Sequence, residues 1–378
     1  MLRGVYLTLL VGPTIPVPVP KVAMEALTNV NVQSNSAPGA QSGFDLTFTL
    51  SNRSPLHTIF LLTAAQIPML RVILIATFNG MPHVLMDGVT TKIQVSGGGS
   101  SGQSNLTVTG LDLSELMRKN LLDLSGLPYP GMPAEARVAL IIAKYAMFGM
   151  IPLVIPRFFP DIPLPVQQIP TQQGNDLQYV QQLADEAGYV FYVDPGPVPG
   201  VNTAYWGPQI KIGPPQPALN IDMDAHTNVE SLSFDFNTAE KVLPIVFIQN
   251  ALTKFPIPIP IPNINPLQPP LGLSGMIPTS VEVLRDTAKL SPMEAITRGL
   301  AAGSKSSDAV SASGMLDVLR YGRLLKARQL VGVRGAGMAF DGLYYVESVS
   351  TSIKRGELKQ NFKLTRNGLI SITPKVPV

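Results

Sequence analysis

The chain contains no cysteine, which excludes disulfides and thiolate metal sites. Its three histidines, His57, His83 and His226, lie far apart, so no local two-histidine metal motif exists. Charge is also scarce. Asp, Glu, Lys and Arg make up 14% of the 378 residues, where ordinary soluble domains carry roughly 25%. The net charge of +3 is small for this length, and the basic residues are not clustered as nucleic-acid binding requires. A chain so poor in charge either lies in a membrane or hides its surface in an assembly.

Membrane insertion is the weaker of the two. The best candidate span is "VALIIAKYAMFGMIPLVI" (138–155), yet Lys144 stands near its middle and Pro152 breaks it. A central lysine costs about 2.5–3.5 kcal/mol on the insertion scale, and a span needs ~20 apolar residues. The segment reads better as a buried amphipathic helix that starts at Pro133 and stops at Gly149. The opening "MLRGVYLTLLVGPTIPVPVP" has an apolar run without a small-residue cleavage site. The expectation is therefore no secretory signal and assembly in the cytoplasm. Burial among partners is what remains.

What the chain has in plenty is hydrophobic residues, 45%, and 36 prolines. Its length suits roughly two or three domains. In "FDLTFTL" (44–50), Phe44, Leu46, Phe48 and Leu50 alternate with polar residues, which predicts a half-buried strand. "RVILIATFNGMPHVLMDG" (71–88) carries Asn-Gly and Asp-Gly pairs, both strong hairpin signals. "TKIQVS" and "NLTVTG" then flank "GGGSSGQ". The first hundred residues predict a meander forming a small barrel or sandwich. Helical signals run from Asp112 and Glu115 to Gly149, followed by the proline-rich "IPRFFPDIPLPVQQIP". "VESLSFDF" and "VLPIVFIQN" return to strands, and "FPIPIPIPNINPLQPP" (255–270) predicts polyproline-like backbone. Helices are expected in 280–330, including "GMLDVLRYGRLLKARQL", before a closing hairpin in which Leu358, Phe362 and Leu364 share a face.

The fold class this predicts is mainly β with helical insertions (α+β). Residues 1–105, continued by 216–250 and 331–378, form a first β scaffold, because the closing hairpin is too small to stand alone. Residues 106–165 are a helical insertion with a proline-rich connector, and 251–330 a proline-rich segment with another. Residues 166–215 are expected to form a second barrel-like domain around the helix-strand unit "GNDLQYVQQLADEAGYVFYVDPG" (174–196). There Asn175 caps a helix, with Gln178 in the capping-box position. Leu177, Val180, Leu183, Ala184 and Ala187 line one face, Gly188 ends the helix and an aromatic strand comes next. Asp185 and Glu186, at the unfavourable end of the helix dipole, are expected to face solvent.

Several motifs invite a chemical reading. Gly97, Gly99 and Gly102 match a dinucleotide-binding G-x-G-x-x-G, and Gly98, Ser100 and Gly102 match a nucleophile elbow. Both need a helix directly after the loop, whereas a strand pattern stands there, so a flexible hairpin loop is expected. Asp222, Asp224, His226 and Glu230 offer hard ligands for calcium or manganese, without the glycine that a calcium loop needs at its turn. A polar strand end is the expectation. Arg320, Arg323, Lys326 and Arg328 give one predicted helix a basic side, a solvated face by default and otherwise a docking surface for an acidic partner. Glu135 and the other carboxylates form no evident acid/base pair, and Trp206 reads as a packing residue. No catalytic residue, metal or cofactor is expected.

The 174–196 stretch also resembles a segment of the tail hub proteins of contractile phages, the late control gene D family, and of type VI secretion spike proteins. Asp176, Leu177, Tyr179, Val180, Leu183, Ala184, Glu186, Gly188, Tyr189 and Phe191 match its pattern. "YPGMPAEARVALIIAKYAMFGMIPLVIP" (129–156) and "FDGLYYVESVSTSIKRGELKQNFKLTRNG" (340–368) are similar to the same family's hub branch in extracellular contractile injection systems. The resemblance implies a homotrimeric baseplate hub with two barrel-like domains per chain, the first interrupted by insertions. Three chains then make a pseudo-sixfold ring between a trimeric spike and a hexameric inner tube, beside other baseplate proteins, within a phage-tail-like particle. Type VI spike proteins continue into an oligonucleotide-fold domain and a needle. This chain stops after its last hairpin, so the spike is expected on a separate polypeptide. A cell-wall hydrolase with a dispersed carboxylate pair, and a peripheral baseplate or receptor-binding module, stay open as other classes. No nucleic acid partner and no membrane insertion are expected.

Overall fold

A computed structural model describes residues 5–51, 54–63, 69–97, 104–120, 126–157, 169–237, 242–249, 255–261, 268–273, 280–284, 292–305 and 308–373. The first third is an antiparallel meander of β1 (Val5–Gly12), the two-residue β2 (Val17–Pro18), β3 (Leu27–Asn35), β4 (Gly43–Leu50), β5 (Arg71–Phe78), β6 (Met81–Ser96) and β7 (Ser104–Asp112). Their spatial order is β3-β4-β7-β6-β5-β1-β2. Alternation in β4 buries Phe44, Leu46, Phe48 and Leu50 on one face. Leu9 of β1, Val32 of β3, Leu74 of β5 and Val108 of β7 meet them in one core, with Phe60 packed near Phe48. β1 and β3 share this core although no ladder joins them among the described residues, so the curl is open at that seam.

Asn79 and Gly80 both adopt left-handed backbone (φ 51° and 77°), the two-residue turn that the Asn-Gly pair predicts. Asp87-Gly88 makes no turn. β6 runs through it, with Asp87 paired to Ile73 and Gly88 to Val72. Two contacts override the local signal: Asp87 is buried against Arg71, and Gly88 admits the Leu111 carbonyl so closely that a Cβ would lie 2.2 Å from its oxygen.

A helical unit comes next. Helix Ala134–Ala143 begins after Pro133, and a single turn, Ala146–Phe148, ends at Gly149 in the left-handed region, so the expected limits hold with a break between. No helix among the described residues is long and apolar enough to cross a membrane. Helix Asp176–Ala187 carries the reciprocal Asn175–Gln178 capping box and the Gly188 stop (φ 68°). β8 (Met150–Val154), β9 (Val190–Pro195) and β10 (Asn202–Gly207) form a three-stranded sheet in the order β8-β10-β9. Where 166–215 was expected to build a barrel-like unit, its strands pair with β8 instead, and the helices cover them. Trp206 is fully buried there and its indole N–H donates to the Val180 carbonyl at 3.3 Å, a packing role.

β11 (Gln216–Asn220) and β12 (Val229–Phe236) join the large sheet. β13 (Val242–Gln249), expected in the same scaffold, pairs instead with β14 (Pro256–Pro260) and β15 (Ser280–Val283). Helix Pro292–Lys305 packs on that small sheet around Val246, Ile261 and Ala295. β14 corrects the polyproline expectation for 256–260. Ile261 donates its N–H to the Pro244 carbonyl, and the antiparallel parity points the backbone N–H groups of Ile257 and Ile259 toward β13 as well. Pro256, Pro258 and Pro260 therefore fall where an N–H would have faced solvent, which an edge strand tolerates.

β16 (Val310–Asp317), β17 (Leu330–Arg334), β18 (Gly342–Lys354) and β19 (Glu357–Arg366) complete the chain. The expected helix over 314–330 is strand up to Asp317 and then one turn, Val318–Tyr321, stopped by Gly322 (φ 81°). Val310, Ala312, Gly314 and Leu316 share one face of β16, and Gly314 makes room for the Phe362 ring. A glycine at a core position hid the period of two. β18 is the joint of the molecule: Gly342–Tyr345 pairs with β17 and Ser348–Lys354 with β3, while β19 lines its other edge. One 13-stranded sheet thus surrounds two cores, the second built on Leu316, Tyr344, Val346, Phe362 and Leu364.

Gly149 is expected to be the most demanding glycine of the helical unit. Its φ is +78° and an added Cβ would lie 1.8 Å from the Gly200 carbonyl oxygen, whereas Gly39 (φ +73°) has open space around it. Gly149→Ala should lower stability by about 2–3 kcal/mol and Gly39→Ala by about 1 kcal/mol, read by urea denaturation. Equal losses would show that the close approach to Gly200 does not hold the unit together.

Candidate functional site

The predicted motifs separate once placed on the fold. Ser96 and Asn105 face each other across β6 and β7, so the glycine run connects two paired strands. Gly97 is exposed, and Gly98, Gly99, Ser100 and Gly102 lie outside the described residues. The run leads into strand β7, not into the helix that phosphate binding or a nucleophile elbow needs. Asp222 and Asp224 occupy left-handed positions in the turn between β11 and β12, with His226 at the end of a single helical turn. Glu230 accepts a hydrogen bond from Lys359 at 3.0 Å. Among the described residues no group of three or more His, Cys, Asp or Glu gathers as a metal would require.

The four basic residues expected on one helix also part company. Arg320, Arg323 and Lys326 are exposed, while Arg328 turns inward. Its guanidinium lies 4.0 Å from the Tyr192 ring centroid and donates to Asp194 at 2.6 Å, to the Asn35 carbonyl and to the Ser42 hydroxyl. It thereby ties β9 of the helical unit to the end of β3. Nothing local signals this role, because its partners lie more than a hundred residues away in sequence.

Four further acid–cation clamps are buried or partly buried. Arg71 meets Asp87 through two parallel hydrogen bonds of 2.7 Å, and Asp87 also accepts from the Asn202 amide at 2.8 Å. Arg71 donates onward to the carbonyls of Thr14 and Gly200, so this cluster joins β5, β6 and β10. Asp176, fully buried at the start of its helix, accepts from Lys144 at 3.0 Å, Tyr145 at 2.7 Å and Gln172 at 2.6 Å. Lys211 holds Asp308 at 2.6 Å. Glu135 binds Arg157 at 2.8 Å. Burial would raise its carboxyl, but the Arg157 hydrogen bond and charge hold it below the ordinary carboxylate value.

Burial, then the Asp176 hydrogen bond, pushes the Tyr145 phenol up, and burial, then Glu135, pushes Tyr189 up to about 12. Both stay neutral and cannot act as bases near neutral pH. Burial also raises the Asp112 carboxyl, against its hydrogen bonds to Ser114 and Ser42. Its two oxygens accept from the backbone N–H groups of Ser114 and Ser42, a capping role. A cleft of about 710 Å³ beside Tyr189 contains Asp235, Asp308 and Glu347. Lys211 pairs with Asp308 and Lys363 with Glu347, the latter at 2.7 Å, so two of its three carboxylates have cationic partners.

With this architecture, the chain shares its fold with tail proteins. The tail protein from Neisseria meningitidis MC58 matches with TM-score 0.61 at 14% identity, over 97% of this chain and 98% of that one. The 43 kDa tail protein of prophage MuSo2 from Shewanella oneidensis matches with TM-score 0.60 at 15% identity, over 96% and 98%. An E. coli protein described as a component of the type VI secretion system, with structural similarity to T4 bacteriophage tail proteins, matches with TM-score 0.55 at 11% identity, over 93% and 76%. No family model and no curated protein matches the sequence.

The Arg71 cluster should act as a unit. Arg71→Met leaves Asp87 buried without its cation and should cost about 3–5 kcal/mol in urea denaturation. Combining it with Asp87→Leu should restore much of that loss. A double variant as unstable as the sum of the two single ones would mean that the pair is not coupled.

Proposed function

We propose that this chain is the structural hub of the baseplate in a contractile, phage-tail-like injection particle, joining a trimeric spike to a hexameric inner tube by symmetry matching. The observation that carries the reading is the single sheet that surrounds two separate cores, with β18 running through both. A trimer of chains with one such lobe each offers three equivalent positions, whereas two similar lobes per chain offer six. In this reading the first lobe is β1 to β7 and the second is β11, β12 and β16 to β19.

The shared fold with tail proteins, along nearly the whole of both chains, supports a structural role in a tail or baseplate. The scarcity of charge does too, since the cores of subunit interfaces are depleted of charged residues. Leu140, Met147, Ile151 and Leu153 of the helical unit stand about half exposed or more, which a buried position among partners would account for. Spike, tube and neighbouring baseplate proteins are the partners in this reading, and the protein acts by geometry without catalysis.

Cryo-imaging of a purified particle carrying a tagged copy of this chain tests the proposal. Three copies around the axis, each contributing two closely superposing lobes, are expected. Six copies, a position at the rim, or lobes that do not superpose would overturn it. The purified chain should leave peptidoglycan intact, and measurable degradation would favour the hydrolase reading.

A further inference from the structure

A second cleft, of about 670 Å³, opens between the β5–β6 turn, the proline segment 214–217 and the turn after Tyr321. Its walls are fixed to one another. The Tyr321 hydroxyl donates to the Pro217 carbonyl at 2.6 Å. The Gln216 amide bridges to Lys326 in both directions, accepting from its N–H and donating to its carbonyl, each at 2.8 Å. The proline segment and the basic turn therefore form a rigid trough, which lowers the ordering cost of binding.

The chemistry of the trough is one-sided. Its walls are largely apolar, from Phe78, Pro214 and Pro217 to Leu324, and Met81 is 66% exposed at its mouth. Arg323 and Lys326 stand exposed on the rim, and no acidic residue lines it. Among the described residues neither cation has an ion-pair partner, whereas the clamps and two of the three carboxylates of the first cleft are closely paired. Burial, then the Lys326 ammonium, holds the His83 imidazole below its ordinary value, so the net charge of the trough comes from the two rim cations. Nucleic acid fits poorly. A phosphate backbone needs a longer run of cations, and the Phe78 and Tyr321 rings that line the trough are both buried, Tyr321 tied to Pro217, rather than open for stacking.

We propose that this trough docks an extended, acidic segment of a partner protein, with its carboxylates on Arg323 and Lys326 and its apolar side chains against Met81 and the prolines. The inference goes beyond the hub reading and does not depend on it.

Fluorescence anisotropy with the full chain and a labelled ten-residue peptide of alternating Glu and Leu provides the test, beside a Lys-Leu counterpart and a labelled thymidine decanucleotide. Saturable binding of the acidic peptide is expected, weakening at least about 10-fold when ionic strength rises from about 0.05 M to about 0.3 M. Arg323→Glu with Lys326→Glu should weaken it by at least about 10-fold, and Met81→Ser by about 3-fold or more, while Lys92→Glu on the exposed face of β6 leaves it unchanged. Met81→Ser keeps both cations, so it reports on the trough even if the double variant folds poorly. Absence of saturable binding, equal affinity for the basic peptide or the oligonucleotide, or equal weakening by Lys92→Glu would each overturn the proposal.

Discussion

The pairing of β18 with β3 is the constraint on which the rest of the structure depends. Thirteen residues, Gly342–Lys354, form a strand too long for one lobe, and two different strands share one of its edges in succession. Ser348 pairs with Asn35 and Lys354 with Asn29, so the ladder closes a loop of more than three hundred residues. Until that ladder forms, β3 presents a bare edge beside the first core, the kind of template that promotes wrong pairing. Such a long-range contact is slow to form, because loop entropy must be overcome before the ladder rewards it. Between β7 and β16, β11 and β12 belong to the large sheet, and the helical unit with β8–β10 and the β13–β15 sheet hang from it as insertions. Their sheets are small, and their orientation must be set by other means.

The means is charge, used inside. Hydrophobic contact is non-directional and would let a small sheet slide over a large one. A guanidinium fork on a carboxylate has a fixed geometry. Arg71 with Asp87 and Asn202 ties one end of β10 to β5 and β6, and Arg328 with Asp194 ties β9 to the end of β3. Lys211 and Asp308 link the segment after β10 to the start of β16. A chain with few charges has placed several of them where two units meet. In each of these clamps the acid has its cation: Arg71 holds Asp87, Lys144 holds Asp176, Arg157 holds Glu135, Lys211 holds Asp308 and Arg328 holds Asp194.

The parts of the fold legible in the sequence were those fixed by neighbours in the chain. The alternation of β4, the capping box at Asn175, the Gly149 and Gly188 stops, the Asn79-Gly80 turn and the closing hairpin all derive from residues within a few positions. What was not legible depends on distant partners. Asp87-Gly88 reads as a turn until Arg71 and the Leu111 backbone are placed against it. Gly314 reads as a helix flaw until the Phe362 ring is packed over it, and the prolines of β14 read as polyproline until their parity against β13 is known. Arg328 is the clearest case. It sits in a basic run, yet its φ of +67° and its inward contacts belong to residues on other strands. Arg71 carried a faint signal, a lone cation heading the continuous apolar run "VILIA".

The scarcity of charge and the abundance of proline belong together at the sheet edges. An exposed edge with free N–H and C=O groups recruits any strand, which a protein built for a defined assembly must prevent. β14 sheathes its edge with three alternate prolines, and β8 carries Pro152 at the middle of its own edge strand. β12, at one end of the large sheet, carries Glu230 and Asp235, and β15 carries Glu282. The exposed apolar side chains Leu140 and Met147 stand on the helical segments, and Ile151 and Leu153 project from β8 on either side of Pro152. Association through faces selects partners by shape and packing, whereas association through edges selects almost nothing.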